Sequence, residues 1–468
     1  MNQHLIKSIY VKNLFGLYTY DFDSEKINSN AIILYGDNGV GKSTLLRLAF
    51  HLLSYANDKG HRTALRNTNF ELLKVELTSG VILTAEKVFD DESRQSMILD
   101  IIEGDIVKAR WRHRPQNSEA RRVMIDDEII YLNEQEYMDA FVPKSRKALN
   151  AINKDPLRKV TSQRLYLSML RNIVPITFIL NADRRLDGDT ISDPDDEVEL
   201  RQAVRMGTPK RIQDLVLRSR EIALSQALSA ATKWIARKAV QGTNQGSDNV
   251  HSTYVRILKQ LVLSSGNGET TFPESDIDIL KANLNKIGNE TSELAKYELT
   301  SFLDMSEFDK FLSNNSTSQR ALSAELLKPY IESLDGRLDA VRSIYKILDK
   351  FISTINGLLT DKEIGFHLSQ GFSIINKFGD DLQPAQLSSG EQQLLLLFCY
   401  VLVARDFSSI FMIDEPEISL NIKWQRTIIQ SLLDITDGAN IQFIFASHSL
   451  EIISQHRSRV VKLVNKNV

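Results

Sequence analysis

Short apolar runs that end in glycine or polar residues are the dominant pattern of this chain. The run 31–35 is followed by a glycine-rich loop and then by helical spacing over 45–53. The runs 176–180, 409–413 and 441–446 have the same buried-strand character. Such runs are typical of strands that are covered on both faces of a parallel sheet. The pattern predicts an α/β fold with its chemistry at the carboxyl ends of these strands.

A second pattern, the alternation of apolar and polar residues, predicts an antiparallel sheet. Glycines and acidic turns separate the alternating segments, which are 72–77, 81–88, 97–102 and 123–131. Residues 5–14 predict a further strand, and residues 15–20 a hairpin that returns from it. An aromatic ring of this hairpin either stacks on the ring of a ligand or packs the hairpin itself.

Helical spacing prevails in the long middle of the chain. Apolar residues recur every three or four positions over 331–359, for about four heptads, and Pro329 is placed to begin that helix. A second amphipathic helix is predicted over 212–240. The segments 242–248 and 264–275 are rich in Gly, Ser and Asn and are predicted to be flexible. The spacing predicts a helical hairpin that forms a short coiled-coil-like arm.

The loop after the first apolar run has the composition of a phosphate-binding loop. It reads Gly36-Asp37-Asn38-Gly39-Val40-Gly41-Lys42-Ser43-Thr44 and lies between a predicted strand and a predicted helix, as such a loop requires. Its glycines let backbone N–H groups surround a phosphate at the positive end of the helix. Lys42 is expected to reach the β- and γ-phosphates of ATP, and the Ser43 hydroxyl to ligate Mg²⁺. The residues expected to contact the nucleotide are Gly36, Asn38, Gly39, Gly41, Lys42, Ser43 and Thr44.

Two later strands also end in residues suited to phosphate chemistry. Asp414 and Glu415 follow the run 409–413, and His448 follows the run 441–446 by two residues. A carboxylate at the carboxyl end of a strand can lie near Mg²⁺, and a second one near the attacking water.

Together these motifs resemble the ABC-type P-loop ATPase heads, and among them the branch of SMC-like, RecF and OLD proteins. The resemblance implies that residues 36–44 are the Walker A loop and that Asp414 is the Walker B aspartate, a Mg²⁺ ligand with Ser43. It implies that Glu415 is the catalytic glutamate and that His448 is the switch histidine, which senses the γ-phosphate. These motifs cover the two ends of the chain and leave its middle uncovered.

The same resemblance identifies 387–393 as the signature motif, with Ser389 where transporters usually carry glycine. In this family Ser388, Ser389 and Gly390 of one subunit would close over the ATP that Lys42 holds in another. The resemblance therefore implies a homodimer with ATP between facing heads, or a higher homo-oligomer that contains such dimers.

Two family motifs are altered in this chain. Residues 417–420 resemble the D-loop, but Asn421 departs from the more common Asp or His. The glutamine of the Q-loop is missing after the run 176–180. Either Asn181 or Asp183 holds the Mg²⁺ water and Arg184 meets a phosphate or the neighbouring subunit, or this segment is an ordinary strand-end loop.

The resemblance implies three regions of the chain. Residues 1–180 are expected to form the N-terminal lobe, with Walker A and an antiparallel β-subdomain. Residues 181–360 are expected to form a helical insertion. Residues 361–468 are expected to form the C-terminal lobe, with the signature motif, Walker B and the switch histidine.

Composition limits the class of protein and its expected location in the cell. The chain has 468 residues, of which 25% are charged and 42% hydrophobic, as is ordinary for a globular protein. Cys399 is the only cysteine, which excludes a disulfide framework or a Cys-based zinc site within one chain. No apolar run approaches a membrane span and the start does not read as a signal peptide, so a cytoplasmic protein without membrane contact is expected.

One basic segment raises the question of nucleic acid. Lys108–Arg114 includes a tryptophan and a histidine, and Arg121 and Arg122 follow it. Such a segment could track a phosphate backbone and stack a base, which makes DNA a candidate partner. The alternative is a solvated strand face that the acidic loop 187–199 balances, in a chain whose net charge is only −3.

Two functions agree with the resemblance. In the first, the chain is a slow ATPase that acts as sensor and scaffold of an anti-phage defence complex, like the OLD-related ATPases of Septu and PARIS systems. The chain ends twenty residues after His448 without a nuclease domain, so the nuclease, of Toprim or HNH type, is expected to be a separate protein. In the second, it is a RecF- or SMC-like repair ATPase that clamps DNA. A transporter ATPase fits less well, because those heads lack the long insertion.

Overall fold

The structure is a computed structural model that describes residues 5–22, 30–57, 59–89, 95–113, 120–125, 128–133, 162–181, 186–189, 221–241, 274–300, 317–418 and 420–466. The strands are β1 (Ile6–Leu14), β2 (Tyr18–Phe22), β3 (Ala31–Tyr35), β4 (Leu72–Leu77), β5 (Val81–Phe89), β6 (Gln95–Glu103), β7 (Ile106–His113), β8 (Ala120–Ile125), β9 (Glu128–Asn133), β10 (Ile176–Leu180), β11 (Leu186–Gly188), β12 (Lys362–His367), β13 (Gly371–Asn376), β14 (Ser409–Asp414), β15 (Ile441–Ala446) and β16 (Val460–Lys462). The helices are α1 (Lys42–Leu53), α2 (His61–Asn67), α3 (Ser162–Ile173), α4 (residues 221–241), α5 (Glu274–Ala295), α6 (Thr317–Leu358), α7 (Ser389–Ala404), α8 (Ile422–Ile435) and α9 (Leu450–Gln455).

These elements form two units. Unit 1 comprises Met1–Asp193, Asp406–Arg426 and Ala439–Val468, and unit 2 comprises Pro194–Arg405 and Thr427–Gly438. Across the described part of the chain, none of the helices is both long and apolar enough to cross a membrane.

A six-stranded sheet in unit 1 has the order β11-β10-β14-β15-β3-β16. The pairs from β10 to β16 are parallel and only β11 is antiparallel, so the sheet is mixed. Every residue of β14 and β15 is buried, as continuous apolar strands require when both faces are covered. The α/β fold predicted from the apolar runs is confirmed.

A second six-stranded sheet of unit 1 is antiparallel and has the order β2-β1-β4-β5-β6-β7. The alternating segments at its centre were predicted, and the basic segment that was expected within this sheet contributes residues 108–113 to β7. The prediction of one strand over 123–131 is wrong, because β8 and β9 are two strands that pair with each other. The acidic dipeptide between them in the sequence is the turn signal that separates them.

One hydrophobic core joins the two sheets of unit 1. It includes the buried faces of β1 and of β4 to β7, residues of β3, β14 and β15, and the apolar side of α1. The helix α1 is therefore held between the sheets, and the loop that precedes it is fixed at both ends.

The two long helices of unit 2 run in the same direction. The guanidinium of Arg342 pairs with Glu290, with Nη2 at 2.6 Å from Oε2. Seven residues further along each segment, Tyr297 Oη donates to Asp349 Oδ1 at 2.8 Å. Because contacts advance together along the two segments, α5 and α6 are parallel. The predicted hairpin concerned the helices over 212–240 and 331–359 and stays a prediction.

The start of α6 also differs from the prediction. The helix has 42 residues and Pro329 lies inside it, whereas Pro329 was predicted in its first turn. A proline inside a helix costs about 3 kcal/mol, because it removes one N–H donor and crowds the preceding turn. The residues before it, Ala321 to Leu327, are mostly strong helix formers, and the buried face from Ile331 to Leu358 offsets the rest. Likewise α5 begins at Glu274, inside a segment predicted to be flexible.

Candidate nucleotide-binding site

The glycine-rich loop leads from the end of β3 into α1 and has the backbone shape of a phosphate loop. Gly39 and Gly41 have φ values of +85° and +91°, which side chains rarely tolerate. A Cβ at Gly41 would lie 2.9 Å from Leu14 Cδ2, so only glycine fits there. A Cβ built at Gly39 meets no described heavy atom within 4 Å, which leaves room above the loop. Asn38 is exposed at the tip of the loop.

Lys42 is buried at the centre of this loop. Its Nζ donates to Gly36 O at 2.8 Å and to Asp37 O at 3.1 Å. A buried ammonium group needs such partners, and two neutral carbonyls can give way to a phosphate, whose charge attracts Lys42 more strongly. Thr44 lies half-buried in the first turn of α1, where backbone N–H groups lack helical partners. The loop therefore fits a nucleotide phosphate.

Ser43 and Asp414 meet at the carboxyl edge of the sheet. Ser43 Oγ donates to Asp414 Oδ1 at 2.7 Å. Asp414 Oδ2 is buried without a hydrogen-bond partner among the described residues, and Arg47 Nη2 lies 3.6 Å away. Burial raises the pKa of Asp414, and the Ser43 hydrogen bond and Arg47 oppose this shift. A hydroxyl and an unsatisfied carboxylate oxygen are the ligands that Mg²⁺ prefers, so these residues fit the ion.

Sheet register brings Glu415 beside His448. Asp414 pairs with Ala446, and Ala446 pairs with Leu34 on β3, so the residues that follow share one edge. His448 Nδ1 lies 2.5 Å from Glu415 Oε2. The two side chains are therefore in direct contact, although that oxygen has no partner with the geometry of a hydrogen bond among the described residues.

Glu415 has a strained backbone. Its φ is +53°, and its N–H donates to Ala446 O at 2.8 Å. A left-handed conformation costs a residue other than glycine on the order of 1–2 kcal/mol, and such strain is concentrated at functional sites. Burial and the neighbouring Glu417 carboxylate raise the pKa of Glu415, while His448 lowers it.

Glu417 is the functional candidate that the sequence did not single out. Its Oε1 accepts hydrogen bonds from Ser447 Oγ at 2.8 Å and from the backbone N–H groups of His448 and Ser449, both at 2.9 Å. The available signals were the second glutamate of the Asp-Glu-Pro-Glu sequence, three residues after Asp414, and the likeness of 417–420 to a D-loop. Asn421, the altered D-loop position, accepts the N–H of Trp424 through Oδ1 at 2.9 Å, which is the role of a helix N-cap.

The signature motif belongs to unit 2. Ser388 is the N-cap of α7, and Ser388 and Glu391 form a capping box. Lys362 Nζ lies 2.9 Å from Glu391 Oε1, which fixes this turn from the β12 side. Ser388 and Ser389 are exposed at the helix start, whereas Gly390 is buried.

The Q-loop candidates are only partly described. Asn181 Nδ2 donates to Asp187 Oδ2 at 3.0 Å, so this amide is engaged with the edge strand β11. Asp183 and Arg184 lie outside the described residues.

The basic segment forms β7, and its side chains have structural partners. Arg110 Nε donates to Asp100 Oδ1 at 2.7 Å, and Arg112 Nε to Ser96 Oγ at 3.1 Å. Trp111 is buried against Tyr166, with ring centroids 5.9 Å apart, so it cannot stack on a base. Burial lowers the pKa of His113 to about 4. The described residues favour a strand face over a nucleic-acid site, with the balancing Asp100 on β6, and most of the acidic loop 187–199 lies outside the described residues.

Comparisons with known proteins agree with this geometry. Residues 178–454 match the family described as "AAA domain, putative AbiEii toxin, Type IV TA system", which is more than half of the chain. The chain is 34% identical over 88 residues to the molybdenum import ATP-binding protein ModC of Escherichia coli K12 and of Shigella flexneri, which is 19% of this chain and 24% of each relative. It thus spans about a quarter of the length of the curated relatives that it matches.

Among solved structures, the chain is similar to the Smc head domain from Pyrococcus furiosus, bound to the C-terminal domain of ScpA, and to that from Pyrococcus yayanosii. Both are 13% identical and cover 98% of this chain and 96% and 97% of theirs, with TM-scores of 0.33 and 0.31. The family match is consistent with the phosphate loop and the Ser43–Asp414 pair described above. The chain belongs to this AAA-domain family and carries the P-loop ATPase core of the ABC type.

Proposed function

We propose that the chain binds Mg²⁺-ATP and hydrolyses it at the edge formed by β3, β14 and β15. The observation that carries this proposal is the convergence of five side chains there. Lys42 lies within the phosphate loop, Ser43 bonds to Asp414, and Glu415 lies beside His448. Positioning and electrostatic stabilisation account for most of the catalysis of phosphoryl transfer, and these are what the five side chains supply.

Each group has one task in this mechanism. Lys42 holds the β- and γ-phosphates. Ser43 and Asp414 hold Mg²⁺, which when bound neutralises charge on the phosphate oxygens. Glu415 orients the attacking water and accepts its proton, a role that the raised pKa of its carboxyl favours. His448 donates to the γ-phosphate as negative charge develops on it.

Phosphate release by purified protein tests this assignment. Lys42→Ala is expected to lose ATP binding, and Glu415→Gln to bind ATP but hydrolyse it at least about 100-fold more slowly, because an amide cannot accept a proton. Lys7→Ala is the matched control, since Lys7 pairs with Glu76 at the surface. Unchanged turnover in Glu415→Gln would remove Glu415 from the catalytic role.

We further infer that the active ATPase is a homodimer or contains one. Ser388 and Ser389 are exposed at the N-terminus of α7, whose dipole favours an anion. These residues and Gly390 would close over ATP held by Lys42 of a second copy. Hydrolysis is then slow, because the geometry of the dimer controls assembly of the site.

At the level of biology, we infer a sensor and scaffold subunit of an anti-phage defence complex that controls a separately encoded nuclease. The motif pattern resembles OLD-related ATPases, and the family description names a toxin of a type IV TA system. Among the described residues, the side chains that lie close enough together to hold a metal ion are those of Glu415, Glu417 and His448, which belong to the proposed ATPase site. The nuclease, of Toprim or HNH type, therefore comes from another chain in this proposal.

Co-expression with the product of the neighbouring gene tests the defence role. The two proteins are expected to purify together, and the purified chain alone is expected to leave DNA and RNA uncut. Deleting about 242–275 should weaken assembly or triggering while ATP binding persists. Metal-dependent cleavage that survives Lys42→Ala in pure protein would contradict the proposal. ATP-dependent DNA clamping without a partner would favour the repair ATPase instead.

A further inference from the structure

Glu417 holds the loop that carries His448. Its carboxylate is almost fully buried, with 7% of the side chain exposed. Oε1 accepts three hydrogen bonds, from one hydroxyl and from two consecutive backbone N–H groups of Ser447 to Ser449. These three residues connect β15 to α9. Consecutive N–H groups that converge on one anion form a nest, which fixes the backbone that contributes them.

The bonds of Glu417 are not needed to cap α9. Ser449 is the N-cap of that helix, and its own side chain accepts from Ile452 N. Ser449 Oγ also donates to Gln425 Oε1 at 2.9 Å. The helix start therefore has its own partners, and the carboxylate of Glu417 acts on the turn before the helix.

His448 depends on this turn for its position. Half of its side chain is exposed, so packing does not fix the ring. Its Nδ1 lies 3.3 Å from Glu417 Oε1 and 2.5 Å from Glu415 Oε2. The same oxygen that holds the backbone of His448 thus also faces its ring. Removing this oxygen would release both the backbone and the ring.

We propose that Glu417 is a positioning residue for ATP hydrolysis, which fixes the 447–449 turn so that the imidazole of His448 stays beside Glu415 at the γ-phosphate position. This inference rests on the proposed ATPase function. It assigns no contact between Glu417 and the nucleotide. A residue that acts only through His448 should lower kcat and leave ATP binding and KM nearly unchanged.

A double-mutant cycle tests the proposal. Glu417→Ala is expected to lower kcat by about 10- to 100-fold, with KM and ATP affinity within about threefold of wild type. In a His448→Ala background the same change should add little, because the group that it positions is absent. Glu417→Gln should recover most of the activity, since its amide oxygen can accept the same three hydrogen bonds. Glu451→Ala is the matched control, because Glu451 pairs with Arg426 on the surface.

Backbone hydrogen exchange gives a readout that does not need ATPase activity. The amides of His448 and Ser449 should exchange at least about tenfold faster in Glu417→Ala than in wild type, as expected for N–H groups that lose their acceptor.

If wild type shows no Lys42-dependent hydrolysis but exchange is faster in Glu417→Ala, the ATPase proposal fails while the anchoring of the turn stands. Unchanged exchange, or losses from Glu417→Ala and His448→Ala that multiply, would overturn the positioning role. If Glu417→Ala does not fold, Ser447→Ala, which removes one of the three donors, takes its place with the same criteria and a smaller expected effect.

Discussion

Ser43 Oγ donates a 2.7 Å hydrogen bond to Asp414 Oδ1 across 371 positions of the sequence. The bond joins the first turn of α1 to the end of β14. The two are neighbours because β15 alone separates β14 from β3, the strand that leads into α1. In the proposed site Ser43 and Asp414 would together hold Mg²⁺, which would neutralise charge on the phosphates.

Asp414→Asn should separate metal binding from stability. The amide oxygen can still accept from Ser43, but one negative charge is lost, so Mg²⁺-dependent hydrolysis should fall by at least about 100-fold. Because burial raises the pKa of Asp414, the charged carboxylate is costly in the fold. The free energy of unfolding should therefore stay equal or rise by up to about 1 kcal/mol.

Phosphate release against Mg²⁺ concentration and urea unfolding together measure this separation. Asp21→Asn is the matched control, because Asp21 pairs with Lys466 at the surface. A variant that loses activity only because it unfolds more easily would contradict the metal-binding role.

Gly41→Ala should damage the phosphate loop more than an equivalent change elsewhere. The added Cβ would lie 2.9 Å from Leu14 Cδ2 at a φ of +91°, so the loop must shift and ATP affinity should fall at least tenfold. Gly80→Ala is the control, with a φ of +84° and no described atom within 4 Å of the new Cβ. Both variants should lose about 1–2 kcal/mol of stability from the backbone alone, and Gly41→Ala should lose more. Titration with a fluorescent ATP analogue and urea unfolding distinguish the two.

Local signals in the sequence explain what could be predicted. The phosphate loop and the Asp414–Glu415 pair could be predicted because each follows a short apolar run whose length and flanking residues favour a buried strand. Arg110 was different, since its pairing with Asp100 on the neighbouring strand depends on register that no local pattern reveals. The parallel course of α5 and α6 was missed for a related reason. Helical periodicity defines a buried face but not the direction of the helix that covers it.

Glu417 illustrates the same limit within the site. Its neighbours in sequence suggested a D-loop, but its three hydrogen-bond donors come from residues 447–449 on another strand end. A carboxylate that is buried by partners far away in the sequence has no signature of its own.

Stability should fall as the pH falls from 7 to 5. Burial lowers the pKa of His51 to about 3, with His61 and Arg62 adding to the shift. His51 Nδ1 lies 3.0 Å from His61 Nδ1. The folded chain keeps His51 neutral, whereas the unfolded chain protonates it below a pKa of about 6.5. The unfolded state then binds more protons, so His51 should cost up to about 2 kcal/mol of stability at pH 5 relative to pH 7.

Urea unfolding at both pH values measures this loss. His51→Gln should reduce the pH dependence, although the amide is a less good fit beside His61. If His51→Gln loses as much stability between pH 7 and pH 5 as wild type does, other groups cause the acid sensitivity.

If each ATP site is shared between two copies of the chain, two inactive variants should restore ATP hydrolysis when they are mixed. Ser389 is exposed at the start of α7, so Ser389→Arg should spare folding and ATP binding by the isolated subunit but obstruct the surface that meets the phosphate of a second copy. Gly390→Glu is less suitable, because Gly390 is buried and a charged side chain there would disturb the helix.

Mixed with Lys42→Ala protein, Ser389→Arg can form a dimer in which one of the two sites has an intact Lys42 and an intact Ser389. Equal mixing at random makes half of the dimers mixed, each with one working site, so activity should recover to about a quarter of the wild-type value. Phosphate release by each variant and by the mixture gives the result, with Lys42→Ala plus Lys42→Ala as the control. Mixed dimers that form stably but hydrolyse no ATP would show that each copy completes its own site.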